Sequence, residues 1–224
     1  MISQPFSNLR PFASKISVGF FAKSDGLISD QSVMQALDGR EYAALDQVHG
    51  SRTVLARSGL KRTEKADGLI TDQEGLVLTL RIADCQPIVV YAPEANVIGV
   101  IHAGWKGLLS GVIPQFFHTL QATWDVKPEC CLVGVGPCLC TSCAEFSDPL
   151  LELPGIPRDL LKNNTADLRS WADRQIVSTG VRPENIERIP DCTRCDPQTY
   201  WTYRGGDREA VKSGRTNVMA CVLK

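Results

Sequence analysis

Uninterrupted apolar stretches, a surplus of either charge, and histidine are all scarce in this 224-residue chain. No window reaches the roughly 18 apolar residues of a membrane span, so no membrane partner is expected. With 24 Lys plus Arg against 25 Asp plus Glu, the formal net charge is -1, which gives no electrostatic case for a nucleic-acid partner. The opening MISQPFSNLRPFASK is too polar for the apolar centre of a signal peptide, so a cytoplasmic location is the expectation. Low-complexity tracts, charge blocks, internal repeats and obvious linkers are absent as well. A single domain over residues 1–224 follows, with residues 1–15 expected to order poorly.

What is present is an ordinary globular composition, 43% hydrophobic and 22% charged, on a chain long enough for a substantial core. Strand-like runs dominate. Residues 16–22 read as a strand, followed by a polar turn, SDGLISD (24–30), and a short helix over 31–38. YAALDQVHGSRTVLAR has strand character on both sides of a His-Gly turn. ADGLITDQEGLVLTLRIADCQPIVVYAP reads as strand, turn, strand, short break, strand, and ANVIGVIHAG is one more. Residues 105–124 form a helix in which Pro114 is the expected kink. CCLVGVGP reads as a buried strand, 157–178 as a helix, VRPENIERIP as a turn leading into a short strand, and TNVMACVLK as the last strand. Strands joined by short turns, with helices interspersed, point to an α+β fold of mixed sheets flanked by helices.

Nine cysteines, an odd number without an export signal, argue for reduced thiols instead of a disulfide framework. Cys130, Cys131, Cys138, Cys140 and Cys143 crowd one segment; read without a repeating CxxC pair, they favour buried or incidental thiols over a second metal site. Cys192 and Cys195 form a CxxC that lacks a partner pair in this reading, and no thioredoxin-like context surrounds it.

Only three histidines are available for chemistry. His118 lies within a helix, in FFHTL, and reads as a packing or surface residue. His49 sits in QVHG, where Gly50 permits a sharp turn. His102 ends an apolar strand in IHAGWKG, and Cys85 sits at the break between two strand-like runs in ADC. From residue types alone, a shared His-Cys-His site and separate hydrogen-bonded structural side chains both stay open. If the three meet, two imidazoles and a thiolate suit zinc and leave a fourth position for water or substrate. Zinc there would lower the pKa of water toward ~7 or polarise a substrate oxygen. Downstream, Gly104 and Gly107 open a helix whose first N–H groups, with Lys106 beside them, suit an anion.

QVHG, ADGLIT, ADCQPIVVY and VIGVIHAGWKG together resemble the laccase-domain (YfiH-like) family, also labelled multicopper polyphenol oxidoreductases. DCTRCDP, YWTYRGGD and SGRTNVMACVL are similar to that family's later motifs. The resemblance implies one zinc on His49, Cys85 and His102, and a compact fold of mixed sheets flanked by helices. It further implies phosphorolysis of adenosine, inosine, guanosine or methylthioadenosine, and hydrolytic deamination of adenosine. The partners implied are a small nucleoside and phosphate, for a monomer or small homo-oligomer. Under this reading Asp84 orients a ligand or moves a proton, and Arg81, Lys106, Arg204 and Arg215 contact substrate. Two departures stand out: Lys23 replaces an expected arginine, and Tyr203-Arg204-Gly205 replaces a Tyr-Arg-Arg pattern, each losing a bidentate fork. The rival readings are a copper-dependent polyphenol oxidase, a Cys/His amide hydrolase of cell-wall precursors with Cys85 as nucleophile, and a metal-stabilised binding module without turnover.

Overall fold

Period-two alternation in the long strands sets the architecture. The structure, a computed structural model, describes residues 1–26 and 29–224. In chain order its first elements are β1 (Ile2–Ser3), β2 (Ile16–Phe21), α1 (Asp30–Ala36), β3 (Glu41–Asp46), β4 (Thr53–Leu55), β5 (Leu60–Lys65), β6 (Gly68–Thr71), β7 (Leu76–Ile82), β8 (Gln86–Ala92) and β9 (Val97–Ala103). There follow α2 (Trp105–Leu109), α3 (Val112–Trp124), β10 (Leu132–Val135), α4 (Pro149–Glu152), β11 (Leu161–Lys162), β12 (Thr165–Ala166), α5 (Leu168–Ser178), β13 (Ile186–Arg188), α6 (Arg208–Lys212) and β14 (Asn217–Leu223).

Two six-stranded sheets result, ordered β1-β2-β14-β7-β3-β5 and β13-β10-β8-β9-β6-β4, with a separate β11-β12 hairpin. Both large sheets mix orientations: β3 pairs parallel with β5 and β7, while β14 runs antiparallel to β2 and β7. In the second sheet β10 pairs parallel with β13, and β8 and β9 form an antiparallel hairpin. The expected α+β fold of mixed sheets and helices is what forms.

Each strand's two faces serve different cores. Leu78, Leu80, Met219 and Cys221 of the first sheet meet Leu69, Val89, Tyr91 and Val100 of the second. The second sheet's other face, with Ile88, Val90, Ile101 and Val133, is covered by Val112, Phe116 and Leu120 of α3 and Trp171 and Ile176 of α5. Val77, Val218 and Ala220 on the outer face of the first sheet pack on Val33 and Met34 of α1. Covering on both faces explains why β8, β9 and β14 are buried along their whole length. Gly99 is needed for one of these contacts: a Cβ there would lie 2.5 Å from the Phe116 ring, so Gly99→Ala overpacks at about 1–3 kcal/mol.

Several expectations need correction. Residues 1–15 are ordered, because Phe6 and Leu9 are fully buried in the inter-sheet core and β1 pairs with β2. The helix expected over 105–124 breaks at Gly111, whose φ is +75°, and not at Pro114. Pro114 falls in the first turn of α3, where its missing N–H has no intrahelical partner to lose. The helix expected over 157–178 starts only at Leu168. Asn163, at φ +54°, turns the β11-β12 hairpin, and Asp167 caps α5 by accepting from Ser170 N at 3.0 Å. β5, LKRTEK, is a charged edge strand whose polarity hid it. The turn expected at 24–30 includes residues 27 and 28, outside the described residues. Among the described residues, no helix is long and apolar enough to cross a membrane.

Candidate functional site

Three times the chain crosses from the first sheet to the second: β3 to β4, β5 to β6 and β7 to β8. These crossings carry His49, Asp67 and Cys85. They meet at the end of β9, since Gly68 pairs with Ile101 and Pro87 with His102. Strand alternation puts His102 on the same face as Ile98 and Val100, which points it into the space between the sheets, only 3% exposed. Ligating atoms of His49, Cys85 and His102 all lie within 4.8 Å of one another. The two imidazoles stand edge to face with centroids 4.7 Å apart.

Asp67 organises this group. It is fully buried, its Oδ1 lies 2.7 Å from His102 Nδ1, and it accepts from the backbone N–H of His49 at 2.9 Å and of Gly50 at 2.7 Å. One carboxylate therefore fixes both the His102 ring and the turn carrying His49. With the Nδ1 proton given to Asp67, His102 presents Nε2 to the shared space. The turn differs from expectation in one respect: His49 itself, not Gly50, is left-handed at φ +61°, and Asp84 is too at φ +86°. Such residues cluster where surrounding contacts over-determine the backbone. Gly104 supplies closeness: a Cβ there would lie 2.9 Å from Cys85 Sγ and 3.1 Å from His49 Cδ2.

Electrostatics favour an anionic sulfur. Burial opposes ionisation of Cys85, but the adjoining His102 charge and hydrogen bonds with His102 and His49 outweigh it and bring the thiol down to about 6. Burial likewise opposes charge on His102, yet the Cys85 charge and the Asp67 hydrogen bond raise it to about 9. Asp67 is buried, which works against its charge, but His102 and the backbone donors hold it below the usual carboxylate range. Two imidazoles, a ready thiolate and a buried carboxylate behind them are a donor set that fits a zinc-like ion.

The trio lies in a cleft of about 750 Å³. Arg62, Arg81, Lys106 and Arg204 line it, with the flat side chains of Trp105 and Tyr203. Arg62 and Arg81 converge on Asp30, which Arg62 reaches at 2.9 Å and Arg81 at 3.1 Å, so two cations share one carboxylate and leave a net positive wall. Gln47 holds the first crossing against β7, pairing through both amide atoms with the Arg81 backbone at 2.8 Å. Lys106 is exposed, 5.3 Å from the Trp105 ring centre. Because α2 is only five residues long, the anion-binding character expected of its start rests on Lys106 and the guanidinium groups instead.

The remaining expected residues separate by placement. The Asp84 carboxylate accepts from Thr193 Oγ1, Thr202 Oγ1 and Arg204 N, each at 2.7 Å, so it knits the cleft wall together. The Arg204 guanidinium donates to the Glu145 carbonyl and lies 5.1 Å from the Phe146 ring centre. Arg215 is exposed and is not among the residues lining the cleft, although its neighbour Thr216 is. Lys23 bonds Asp207 at 2.9 Å and lies over the Trp201 ring, outside the cleft. His118 is exposed on α3. Sequence reasoning missed Asp67, Arg62 and Gln47. Asp67 and Gln47 had a signal, since both lie in motifs that carry the resemblance, ADGLIT and QVHG; Arg62, in LKRTEK, had none.

The cysteine reading also needs correction. Cys140-Thr141-Ser142-Cys143 is itself a CxxC and meets the one at Cys192 and Cys195: the four sulfurs lie within 4.8 Å of one another. The three cysteines just upstream, Cys130, Cys131 and Cys138, masked the pair.

The family model for multi-copper polyphenol oxidoreductase laccases matches residues 28–223. Purine nucleoside phosphorylase YlmD of Geobacillus stearothermophilus is 30% identical over 193 residues, 78% of this chain and 69% of that protein. Adenosine deaminase RL5, from an unknown prokaryotic organism, is 29% identical over 163 residues, 68% of this chain and 61% of that protein. The crystal structure of Geobacillus stearothermophilus YlmD superposes with a TM-score of 0.78 at 21% identity, covering 96% of this chain and 93% of that one. With nearly the whole chain matched, this protein belongs to the multi-copper polyphenol oxidoreductase laccase family.

Proposed function

We propose that this chain is a zinc-dependent enzyme of purine nucleosides, which cleaves them with phosphate and deaminates adenosine. The observation that carries the reading is the convergence of His49, Cys85 and His102 at a cleft lined by Arg62, Arg81, Lys106 and Arg204. The names of YlmD and RL5 supply the two reactions. When bound, zinc supplies Lewis acidity and lowers the pKa of water.

The chain's own residues do the rest. Asp67 keeps the Nδ1 proton of His102 in place and so holds Nε2 as a donor. Arg62, Arg81, Lys106 and Arg204 attract phosphate and orient it; in phosphorolysis its oxygen bonds to the sugar's anomeric carbon as the base leaves with the bond's electron pair. Trp105 and Tyr203 offer flat faces to the purine. Asp84, with its carboxylate committed to Thr193, Thr202 and Arg204, is a positioning residue in this scheme. The test is to incubate zinc-quantified protein with adenosine. Adenine and ribose 1-phosphate are expected with phosphate, and inosine without it; fully loaded protein that makes neither overturns the reading.

One observation favours a second reading. Cys85, His102 and Asp67 stand in the order nucleophile, base and orienting acid, as an amide hydrolase acting through Cys85 would need. Alkylation separates the two: a metal-held thiolate is protected until a chelator is added, whereas a free nucleophile reacts at once. Copper oxidation finds less support, because among the described residues no methionine lines the cleft to serve as a weak axial ligand.

A further inference from the structure

We infer that Cys140, Cys143, Cys192 and Cys195 form a second metal site, a closed tetrathiolate that binds one structural zinc and staples the wall behind Asp84. Two CxxC knuckles distant in sequence face each other, and none of their cysteines lines the cleft. The sulfurs are spaced for a shared ion and not for bonding to each other. Cys143 Sγ lies 3.5 Å and Cys140 Sγ 3.9 Å from Cys195 Sγ, and all four cysteines are free. A disulfide would need about 2.05 Å. A tetrahedral ion with Zn–S bonds of ~2.3 Å puts its sulfurs about 3.8 Å apart, between the two observed distances.

The backbone is arranged for charged sulfur. Cys140 N–H donates to Cys192 Sγ at 3.2 Å, a bond that strengthens when the sulfur is a thiolate. The two segments are held together independently of any ion. Arg169 donates to the carbonyls of Cys138, Leu139, Pro190 and Asp191, and Cys138 pairs with Cys192 in an isolated bridge. The two knuckles therefore stand preassembled, with four donors of one type, none of which lines the cleft. Four protein donors leave zinc no position for substrate, which makes this site a support.

Its mechanical target is also given by the structure. Thr193, inside the second knuckle, donates to Asp84 at 2.7 Å. Leu139, just before the first knuckle, lines the cleft, and its N–H donates to the Asp84 carbonyl at 3.2 Å. Zinc at the four sulfurs thus fixes both segments that grip the left-handed Asp84 turn leading to Cys85.

The test counts zinc in the full-length protein by mass spectrometry, with three chains compared. About two zinc per chain are expected for the unaltered protein, about one for Cys85→Ala, and about one for Cys143→Ser/Cys195→Ser. Should the double variant fail to fold, Cys85→Ala still decides. Loaded with cobalt(II) in place of zinc, it must show the intense thiolate-to-metal bands of a tetrathiolate. A Cys85→Ala protein without metal, disulfides among the four cysteines, or iron in place of zinc overturns the inference. The zinc kept by Cys85→Ala decides whether or not the cleft itself binds metal, so this proposal and the proposed function fail separately.

Discussion

His49, Cys85 and His102 offer two imidazoles and one sulfur at the end of a sheet sandwich, facing a cleft of about 750 Å³. Cys140, Cys143, Cys192 and Cys195 offer four sulfurs from two knuckles, and none of them borders that cleft. The first group is built by strand crossings and strand alternation, and its ring nitrogen is aimed by a buried carboxylate. The second is built by two short local motifs whose own backbone spacing sets the geometry. An incomplete donor set beside open space leaves room for a reactant, whereas a complete set away from it leaves none. On the proposed reading, ligand number and surroundings, more than the affinity of any donor, would separate a reactive metal from a supporting one.

The largest contrast is expected from Cys85→Ala. Nucleoside turnover falls below detection and the cleft metal is lost, while the four-cysteine metal and the fold persist, as circular dichroism and zinc content will show. Turnover that survives without cleft metal would remove the distinction between the two groups. Asp67→Asn comes next. It leaves the trio's residues in place but no longer guarantees an acceptor for His102 Nδ1–H, so metal affinity at the cleft should fall about 10–100-fold, measurable by competition with a chelator. The four-cysteine site should not respond.

Gly104→Ala probes closeness without touching a donor atom. Its Cβ would meet Cys85 Sγ at 2.9 Å, so the trio must spread; about 1–3 kcal/mol of lost stability in urea titration, with weaker cleft metal, is expected. The smallest effect on metal binding is expected at Asp30, which bonds the cleft-lining Arg62 and Arg81 and not the metal donors. Burial disfavours its charge, but the Arg62 hydrogen bond and the Arg81 and Arg62 charges hold it below the ordinary carboxylate range. A depressed folded value means the ion pair contributes fully above an unfolded pKa of about 3.9 and is lost as pH falls through the folded value. Asp30→Asn should therefore cost on the order of 1–3 kcal/mol at neutral pH and flatten the fall in stability below about pH 4. An unchanged acid profile would show that the pair does not stiffen the cleft wall.

Much of the fold was legible because strands covered on both faces read as short continuous apolar runs, and β2, β7, β8, β9, β10 and β14 match the runs read from sequence. What an apolar run cannot give is the partner of each face, so nothing in the sequence shows that β7 and β8 lie in different sheets and that Cys85 sits on the crossing. His49, Cys85 and His102 were legible by resemblance more than by spacing, since two crossings between the sheets and the end of β9 bring them together. Arg62 was hidden in a charged edge strand, and its cleft position depends on Asp30 drawing it in beside Arg81. The Cys140/Cys143 CxxC is present in the sequence but obscured by the neighbouring Cys130, Cys131 and Cys138.

The most direct measurement is anomalous diffraction at the zinc absorption edge from crystals of the full-length protein. Two peaks per chain are expected, one bounded by His49, Cys85 and His102 with a non-protein ligand completing it, the other by four sulfurs alone. A trio found apart, or gathered around an ion already closed by a fourth protein donor, would contradict a catalytic metal in this cleft.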